Sequence, residues 1–213
     1  MSEKHNSSIE PELMQTLEEH IESWKPELYS LLPGLSEEIE IQWDNSWGIK
    51  EAGTGGACLT RNEIAMAFDP DFEGDKDEQL INLKGTYFHE AVHTMQGWTF
   101  GEDALYKNPS AIEGAVCEGV ATVFEKQRAH TAPLWGETDE EVTLQQWLEE
   151  LKQLPPDFDH DKYYFYDPDT DRRWIIYKVG TYIAEKALSN NPELQIEDLV
   201  TKKPSEILEL SGL

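Results

Sequence analysis

Cysteine is scarce in this chain: Cys58 and Cys117 are the only two among 213 residues. Two cysteines cannot build the disulfide framework of a small secreted domain. Long apolar runs are also missing, because no stretch approaches the ~18 residues that a membrane-spanning helix needs. Residues 1–10 are polar and lack the basic and then apolar layout of a secretory signal. We therefore expect a cytoplasmic protein that has no membrane partner.

Basic residues are few as well. The chain has 17 lysines and arginines against 43 aspartates and glutamates, which gives a formal net charge of -26. A surface of this sign repels phosphate backbones, so nucleic acid is not expected as a partner. The charge suits cationic or metal-bound ligands, but it equally suits plain solubility. Charge alone therefore names no function.

Length and composition fit one globular domain. Apolar residues make up 38% of the 213 positions, which is enough to bury a core. The length lies near the upper end of what one hydrophobic core supports. We expect a flexible tail over 1–10 and a single domain over 11–213, and the sequence indicates no oligomeric state.

The first part of the chain combines helix and strand signals. Apolar residues recur at helical spacing over 11–32, and polar and apolar residues alternate over 38–43 as in a half-buried strand. The glycine-rich stretch 53–56 predicts a turn, followed by a hairpin of 57–60 and 63–68. The strand over 63–68 is a candidate sheet edge for aligning an extended peptide, and a core hairpin strand is the alternative.

Helices dominate the rest of the chain. A broad apolar face makes 77–96 the strongest helix signal, and Gly97 is placed to end it. Further helices are predicted over 110–129, 147–154, 174–188 and 204–210, with an acidic, aromatic loop over 157–171. A few early strands followed by helices predict an α+β fold, with a small N-terminal β-sheet and a mostly helical C-terminal half.

The strongest predicted helix contains the HExxH motif His89-Glu90-Ala91-Val92-His93. Residues i and i+4 share one face of a helix, so both imidazoles can reach the same zinc ion. Glu90 is then placed to act as general base toward a water molecule that the zinc ion activates. The alternative is a partly buried helix with two incidental histidines. The motif predicts one zinc ion per chain, with His89 and His93 as ligands and Glu90 as the catalytic base.

A catalytic zinc site needs a third protein ligand. Gln96 and Thr99 stand where a metzincin would have glycine and histidine, so that class is excluded. Glu118, Glu113 and Asp103 remain as candidates. Glu118 is favoured, because it lies in the middle of a predicted helix among small and apolar residues, where a carboxylate is costly without a cation. Glu113 lies in the first turn, where the helix dipole already accounts for a carboxylate.

Three segments together resemble the bacterial predicted zinc-dependent protease family, a domain of unknown function grouped with the gluzincins. They are His89–His93, Glu118-Gly119-Val120-Ala121 and Tyr177-Lys178-Val179-Gly180-Thr181-Tyr182-Ile183. The resemblance covers roughly residues 80–210, although the segment 131–171 has no counterpart. It implies a zincin-like metallopeptidase fold, two histidine ligands with one glutamate, and hydrolysis of peptide bonds in a peptide or protein substrate.

Two further residues have expected roles, Tyr177 from the resemblance and Gly119 from its position next to Glu118. Tyr177 is a candidate hydrogen-bond donor to the oxyanion of the transition state, and ordinary helix packing is the alternative. Gly119 fits the choice of Glu118, because a glycine would let this helix pack closely on the helix that carries the histidines.

Two other functions stay open. A non-catalytic module that binds peptides or partner proteins could use the same scaffold, and four protein ligands instead of three would indicate a structural metal site. The segment Gly56-Ala57-Cys58-Leu59-Thr60 is similar to the metal-cysteine motif of peptide deformylases, in which case Cys58 would be the third ligand.

Overall fold

The computed structural model describes residues 9–213 and has a mixed α+β fold, as the order of the sequence signals predicts. Two compact units are distinguished, Met1–Leu105 with Arg128–Thr131 and Tyr106–Gln127 with Ala132–Leu213. The tail predicted over 1–10 lies outside the described residues except for Ile9 and Glu10, and the single domain over 11–213 stays a prediction. No helix within the described range is both long and apolar enough to cross a membrane.

The first unit contains two long helices, α1 (Pro11–Leu31) and α2 (Lys76–Gln96). Asp75 caps α2, because its carboxylate accepts a hydrogen bond from the backbone N–H of Asp77 at 2.8 Å. Gly97 ends α2 in the left-handed conformation, at φ 66°. The sequence thus predicted both helices to within a residue at each end.

A three-stranded sheet packs against α2. Its strands are β1 (Glu40–Trp43), β2 (Thr54–Thr60) and β3 (Glu63–Phe68), in the order β1-β3-β2. Strand β3 pairs in parallel with β1 and antiparallel with β2. The expectation of a free sheet edge along 63–68 is therefore wrong, and the alternative of a core strand is confirmed. One edge of the sheet belongs to β2.

The glycine-rich segment 53–56 differs from its predicted turn, because β2 already begins at Thr54. Gly53 alone reverses the chain, with φ 67°. Gly55 is a strand residue at which another backbone approaches closely, since a Cβ there would lie 2.1 Å from the carbonyl oxygen of Trp47. The run of glycines therefore serves mostly close packing within a strand and not a turn.

The second unit is mostly helical. Its helices are α3 (Ala111–Phe124), α4 (Glu141–Gln153), α5 (His160–Tyr164), α6 (Ile175–Asn190), α7 (Ile196–Val200) and α8 (Pro204–Ser211). A π-helical turn, Glu125–Ala129, follows α3. Helix α4 begins at Glu141, six residues before the predicted start at 147. The prediction missed this start because Glu140, the residue before the helix, makes no side-chain cap. Helix α7 was not predicted.

The segment predicted as a loop over 157–171 contains regular structure. Besides α5, it holds β4 (Tyr166–Asp167), which pairs antiparallel with β5 (Arg172–Arg173). Asp167 is fully buried in this hairpin. A buried, ion-paired aspartate reads as a loop residue in the sequence, which is why the hairpin escaped prediction.

Helices α3 and α6 approach each other most closely at two glycines. A Cβ on Gly119 would lie 1.9 Å from the carbonyl carbon of Gly180, and a Cβ on Gly180 would lie 1.8 Å from the carbonyl oxygen of Ala115. The prediction that Gly119 serves packing on the histidine-bearing helix is therefore wrong, because its close neighbour is α6.

Candidate metal centre

Helix α2 presents the two histidines of the HExxH motif on one face. The ring centroids of His89 and His93 are 4.7 Å apart, and the rings meet edge to face at 79°. Both side chains are buried, with 5% and 4% of their surface exposed. Their separation by four residues gives this proximity directly, since it places them one helical turn apart.

The structure brings the three predicted ligands together. One ligand atom from each of His89, His93 and Glu118 lies within 4.8 Å of the others. Glu118 comes from the middle of α3 and is only 6% exposed. Within residues 9–213, this is the one group of three or more His, Cys, Asp or Glu side chains that meets this spacing. It is a buried group that could hold a metal ion, and we call these three side chains the metal-competent group.

The donor set fits a metal ion. Two imidazoles and one carboxylate are the ligands that catalytic zinc takes in many enzymes, and a buried carboxylate otherwise carries a large desolvation cost. The same donors also suit other divalent transition metals. The group could therefore hold a divalent transition metal ion, of which zinc is one.

The two other acidic candidates have structural roles elsewhere. Glu113 forms a capping box at the start of α3, where its carboxylate accepts a hydrogen bond from the Ser110 backbone N–H at 2.9 Å. Asp103 accepts hydrogen bonds from the Arg61 backbone N–H at 2.7 Å and from the Thr99 hydroxyl at 3.1 Å. Neither belongs to the metal-competent group.

Both cysteines lie apart from metal ligation. The Cys58 thiol donates a hydrogen bond to the Thr60 carbonyl oxygen at 3.3 Å, and it is not in the group of His89, His93 and Glu118. Burial raises the pKa of the Cys117 thiol, and the neighbouring Glu118 carboxylate raises it further. Cys117 is therefore a protonated core residue, and the ligand set of the deformylase alternative is not found.

Gln96 orients one of the histidine ligands, and sequence reasoning missed this role. Nδ1 of His93 and Oε1 of Gln96 are 2.9 Å apart, and both side chains are buried. Since an amide oxygen only accepts, the Nδ1–H of His93 donates to Gln96, which makes Nε2 the ring nitrogen that could serve as a metal ligand. The spacing His93-x-x-Gln96 on one helix face was the available signal.

Glu90 lies against strand β2. Its side chain is 7% exposed. A Cβ on Gly56 would lie 2.9 Å from Cγ of Glu90 and 2.8 Å from Cγ2 of Thr86. The glycine therefore leaves the space that the Glu90 side chain occupies beside β2. The sequence could not reveal this contact, because it joins two segments that are distant along the chain.

Tyr177 lies in an aromatic cluster of the second unit. Its ring centroid is 6.0 Å from that of Tyr164, and Trp135 and Trp174 are its other ring neighbours at 6.3 and 6.1 Å. Burial raises the pKa of Tyr164, and the nearby Glu118 carboxylate raises it further. Tyr164 is thus a protonated phenol close enough to feel the charge of Glu118, and the run of aromatics over 163–166 was its only sequence signal.

Comparisons with protein-family models, with curated proteins and with solved structures find no match to this chain. The fold class alone does not specify an activity. Function is therefore argued from the side chains of the site.

Proposed function

We propose that this protein is a zinc-dependent metallopeptidase of the gluzincin type that hydrolyses peptide bonds in peptide or protein substrates. The observation that carries the proposal is the buried group of His89, His93 and Glu118, with Glu90 beside the first ligand in the same helix. Three protein ligands leave one position of a tetrahedral ion open, as catalysis requires. The resemblance of residues 80–210 to bacterial predicted zinc-dependent proteases implies the same activity and is itself a prediction, since no family model matches the chain.

His89, His93 and Glu118 would hold one zinc ion per chain. When bound, zinc polarises a carbonyl group and lowers the pKa of water to about 7. The Nδ1–H donated by His93 to Gln96 fixes the imidazole so that Nε2 is available as the ligand atom. Two buried cysteines that form no disulfide suit a reducing compartment, and we place the activity in the cytoplasm.

Glu90 acts as the general base and then as the general acid. It takes a proton from water while the water oxygen bonds to the carbonyl carbon of the substrate. It then gives that proton to the amide nitrogen as the carbon–nitrogen bond breaks, which releases an amine and a carboxylic acid. The acid passes its remaining proton to the amine, so the products are a carboxylate and an ammonium group. The space at Gly56 lets the Glu90 side chain lie beside β2, the strand at the edge of the sheet.

The phenol of Tyr177 is the proposed hydrogen-bond donor to the oxyanion of the transition state. A donor of this kind stabilises the charge that develops on the carbonyl oxygen. Tyr164 lies next to Tyr177 and senses the charge of Glu118, so it is the second phenol to test for this role.

The Glu90→Gln variant tests the proposal. We expect it to keep zinc and fold and to lose at least ~10²-fold in hydrolysis, because glutamine cannot accept the proton. Substrates are found by incubating wild type with unfolded proteins and peptide mixtures and detecting new termini by mass spectrometry. Glu78→Gln is the matched control, since Glu78 is an exposed glutamate in the first turn of the same helix.

Near wild-type cleavage by zinc-loaded Glu90→Gln would contradict the role of Glu90. A wild-type protein that binds zinc and cleaves nothing in the screen would contradict the peptidase proposal and favour the non-catalytic binding module.

A further inference from the structure

The outer edge of β2 is covered at two points and open between them. Near one end, the Thr54 carbonyl oxygen accepts a hydrogen bond from the Ile49 backbone N–H at 2.9 Å. Further along, the Cys58 carbonyl oxygen accepts one from the Phe100 backbone N–H at 3.1 Å. Alternate residues of a strand direct their backbone groups to the same edge, so those of Gly56 also point outward. Within residues 9–213, no backbone bond from another segment reaches Gly56 at this edge.

Two aromatic residues, Trp47 and Phe100, have their backbones beside this stretch. Trp47 is held at Gly55 by close backbone approach, and Phe100 is held at Cys58 by its backbone hydrogen bond. The ring centroids of Trp47 and Phe100 are 5.4 Å apart. Phe100 is nevertheless 75% exposed, an unusual state for a phenylalanine that is held in place. We refer to these two side chains as the Trp47–Phe100 pair.

The open stretch and the proposed catalytic base meet at Gly56. Its backbone groups point to the edge of the sheet. The space that a side chain of residue 56 would take is occupied by the side chains of Thr86 and Glu90 from α2. Gly55 and Gly56 face opposite sides of the sheet, so a chain paired with β2 at Gly56 would have Glu90 toward one face and the backbone of Trp47 toward the other.

Acidic residues follow Phe100 in the chain, and the positive charge of Arg61 acts on one of them, Asp103. Glu102 and Asp103 follow Phe100 closely in the chain, and both are exposed. A hydrogen bond from the Arg61 backbone N–H lowers the pKa of Asp103, so its carboxylate stays charged. The whole chain carries a net charge of -26. Aromatic faces attract cations, and a negative field concentrates them nearby.

We infer that the Trp47–Phe100 pair is a specificity-determining subsite that takes the lysine or arginine side chain of an extended peptide paired with β2 at Gly56. The inference rests on the proposed function, because it assigns a substrate class to the same site. The aromatic faces supply a cation–π contact, and the carboxylates of Glu102 and Asp103 add charge complementarity. The substrates are therefore basic, unfolded segments.

Binding is measured with the zinc-loaded Glu90→Gln variant, which leaves peptides intact. The probes are fluorescent peptides of extended sequence that differ only at one central residue, which is lysine, norleucine or glutamate. Fluorescence anisotropy gives the Kd of each at low salt and at about 0.5 M salt, where long-range attraction is screened. We expect the lysine peptide to bind more tightly than the norleucine peptide at both salt concentrations.

Variants of Phe100 test whether the preference for the lysine peptide arises at the Trp47–Phe100 pair. Phe100→Ala and Phe100→Leu should each weaken the lysine peptide by about two- to fivefold, which corresponds to an exposed cation–π contact. Phe165→Ala is the matched control, because Phe165 is an exposed phenylalanine of the second unit. Equal binding of the lysine and norleucine peptides overturns the inference, as does an equal loss in Phe165→Ala. An unchanged ratio of lysine-peptide to norleucine-peptide affinity in Phe100→Leu also overturns the inference, because leucine keeps the apolar surface without the aromatic face.

Cleavage assays with wild type separate this inference from the proposed function. Hydrolysis without preference for basic residues contradicts the subsite alone. Lysine-selective binding without hydrolysis supports the subsite and contradicts the peptidase.

Discussion

At the scale of single residues, the hydrogen bond between Nδ1 of His93 and Oε1 of Gln96 ties down a histidine of the proposed metal site. The bond is 2.9 Å long and buried, so water does not compete for it. Partners of this kind fix the tautomer and the orientation of a ligating histidine. Gln96 is thus a positioning residue for the proposed zinc site.

Replacing Gln96 by leucine should lower zinc affinity by about 10- to 100-fold, because His93 then loses the acceptor for its Nδ1–H. Competition with a chelating dye measures the affinity. Gln15→Leu is the control, since Gln15 is exposed on α1 and makes only a local bond to Glu19. Unchanged zinc affinity in the Gln96 variant would show that the bond has no bearing on the metal.

A residue of the proposed site could be predicted from the sequence only where its neighbours along the chain reveal its role. His89 and His93 were predictable because four-residue spacing on a helix fixes their proximity. Glu118 was predictable because a carboxylate among apolar residues needs a cation. Gly56 and Tyr164 escaped prediction because no local pattern shows that Gly56 lies against Glu90 or that the charge of Glu118 raises the pKa of Tyr164.

At the scale of elements, the crossing of α3 and α6 depends on the absence of two side chains. A Cβ on Gly180 would lie 1.8 Å from the Ala115 carbonyl oxygen, and backbone atoms at a helix crossing cannot move aside independently. The helices would have to separate to admit even a methyl group.

Gly180→Ala should therefore lower the free energy of unfolding by about 1–3 kcal/mol, as overpacking does. The loss should appear although alanine is favoured over glycine within a helix by roughly 0.5–1 kcal/mol. Urea denaturation followed by circular dichroism measures it. Ser189→Ala, at an exposed position of α6, is the control and should not destabilise. A Gly180 variant as stable as wild type would mean that the crossing tolerates a methyl group.

The β4-β5 hairpin is organised around the buried carboxylate of Asp167. Burial acts to raise the pKa of Asp167, but hydrogen bonds from Thr170, Lys162, the Asp169 N–H and Arg172 outweigh it and lower the pKa. Lys162 lies 3.1 Å and Arg172 lies 3.3 Å from its oxygens. The carboxylate form is therefore the one that stabilises the hairpin.

The contribution of Asp167 should depend on pH with a defined sign. A lowered pKa in the folded state adds stability above the unfolded pKa of about 3.9, and this stability is lost as the pH falls further. Wild type should therefore exceed Asp167→Asn in urea midpoint at pH ~6, and the difference should shrink toward pH ~3. Asp169→Asn is the control, since the Asp169 side chain is 82% exposed. A difference that is independent of pH would contradict this role of the charge.

Helices were predicted correctly where apolar residues recur at helical spacing over a long segment and where capping residues mark both ends. Helix α2 has both, with Asp75 at its start and Gly97 at its end. Helix α4 has a buried stripe of Leu144, Leu148 and Leu151 but no side-chain cap, so its start was misplaced. The β4-β5 hairpin was missed because two-residue strands carry no alternation to detect.

At the scale of the whole molecule, each compact unit has a hydrophobic core of its own. The first unit buries Leu17, Leu28, Ile64, Met66 and Leu83 completely or nearly so, and the second buries Phe124, Leu144, Leu151, Ile175 and Ile183. Proteins with such cores do not owe their fold to a metal ion, unlike zinc fingers. The α+β fold could be predicted from the order of strand and helix patterns along the sequence. The division into two units could not, because it depends on contacts between residues that are distant along the chain.

Removal of the metal should accordingly leave the fold in place. We expect a chelator to strip zinc from the protein while the helical circular dichroism signal is retained, with a modest fall in Tm from the lost binding energy. Readdition of zinc should restore the Tm. Loss of most of the helical signal on chelation would mean that the metal is required for folding.

Metal content is the measurement that tests the central claim most directly. Wild type and the variants Glu118→Ala and Glu113→Ala are purified identically, and zinc per chain is determined by elemental analysis and by competition with a chelating dye. The account predicts about one zinc per chain in wild type and in Glu113→Ala, because Glu113 serves only the capping box of α3. It predicts a large loss of zinc in Glu118→Ala, which removes a charge and a ligand from the buried group. Equal zinc retention in Glu118→Ala and Glu113→Ala would contradict the assignment of His89, His93 and Glu118 as the metal site.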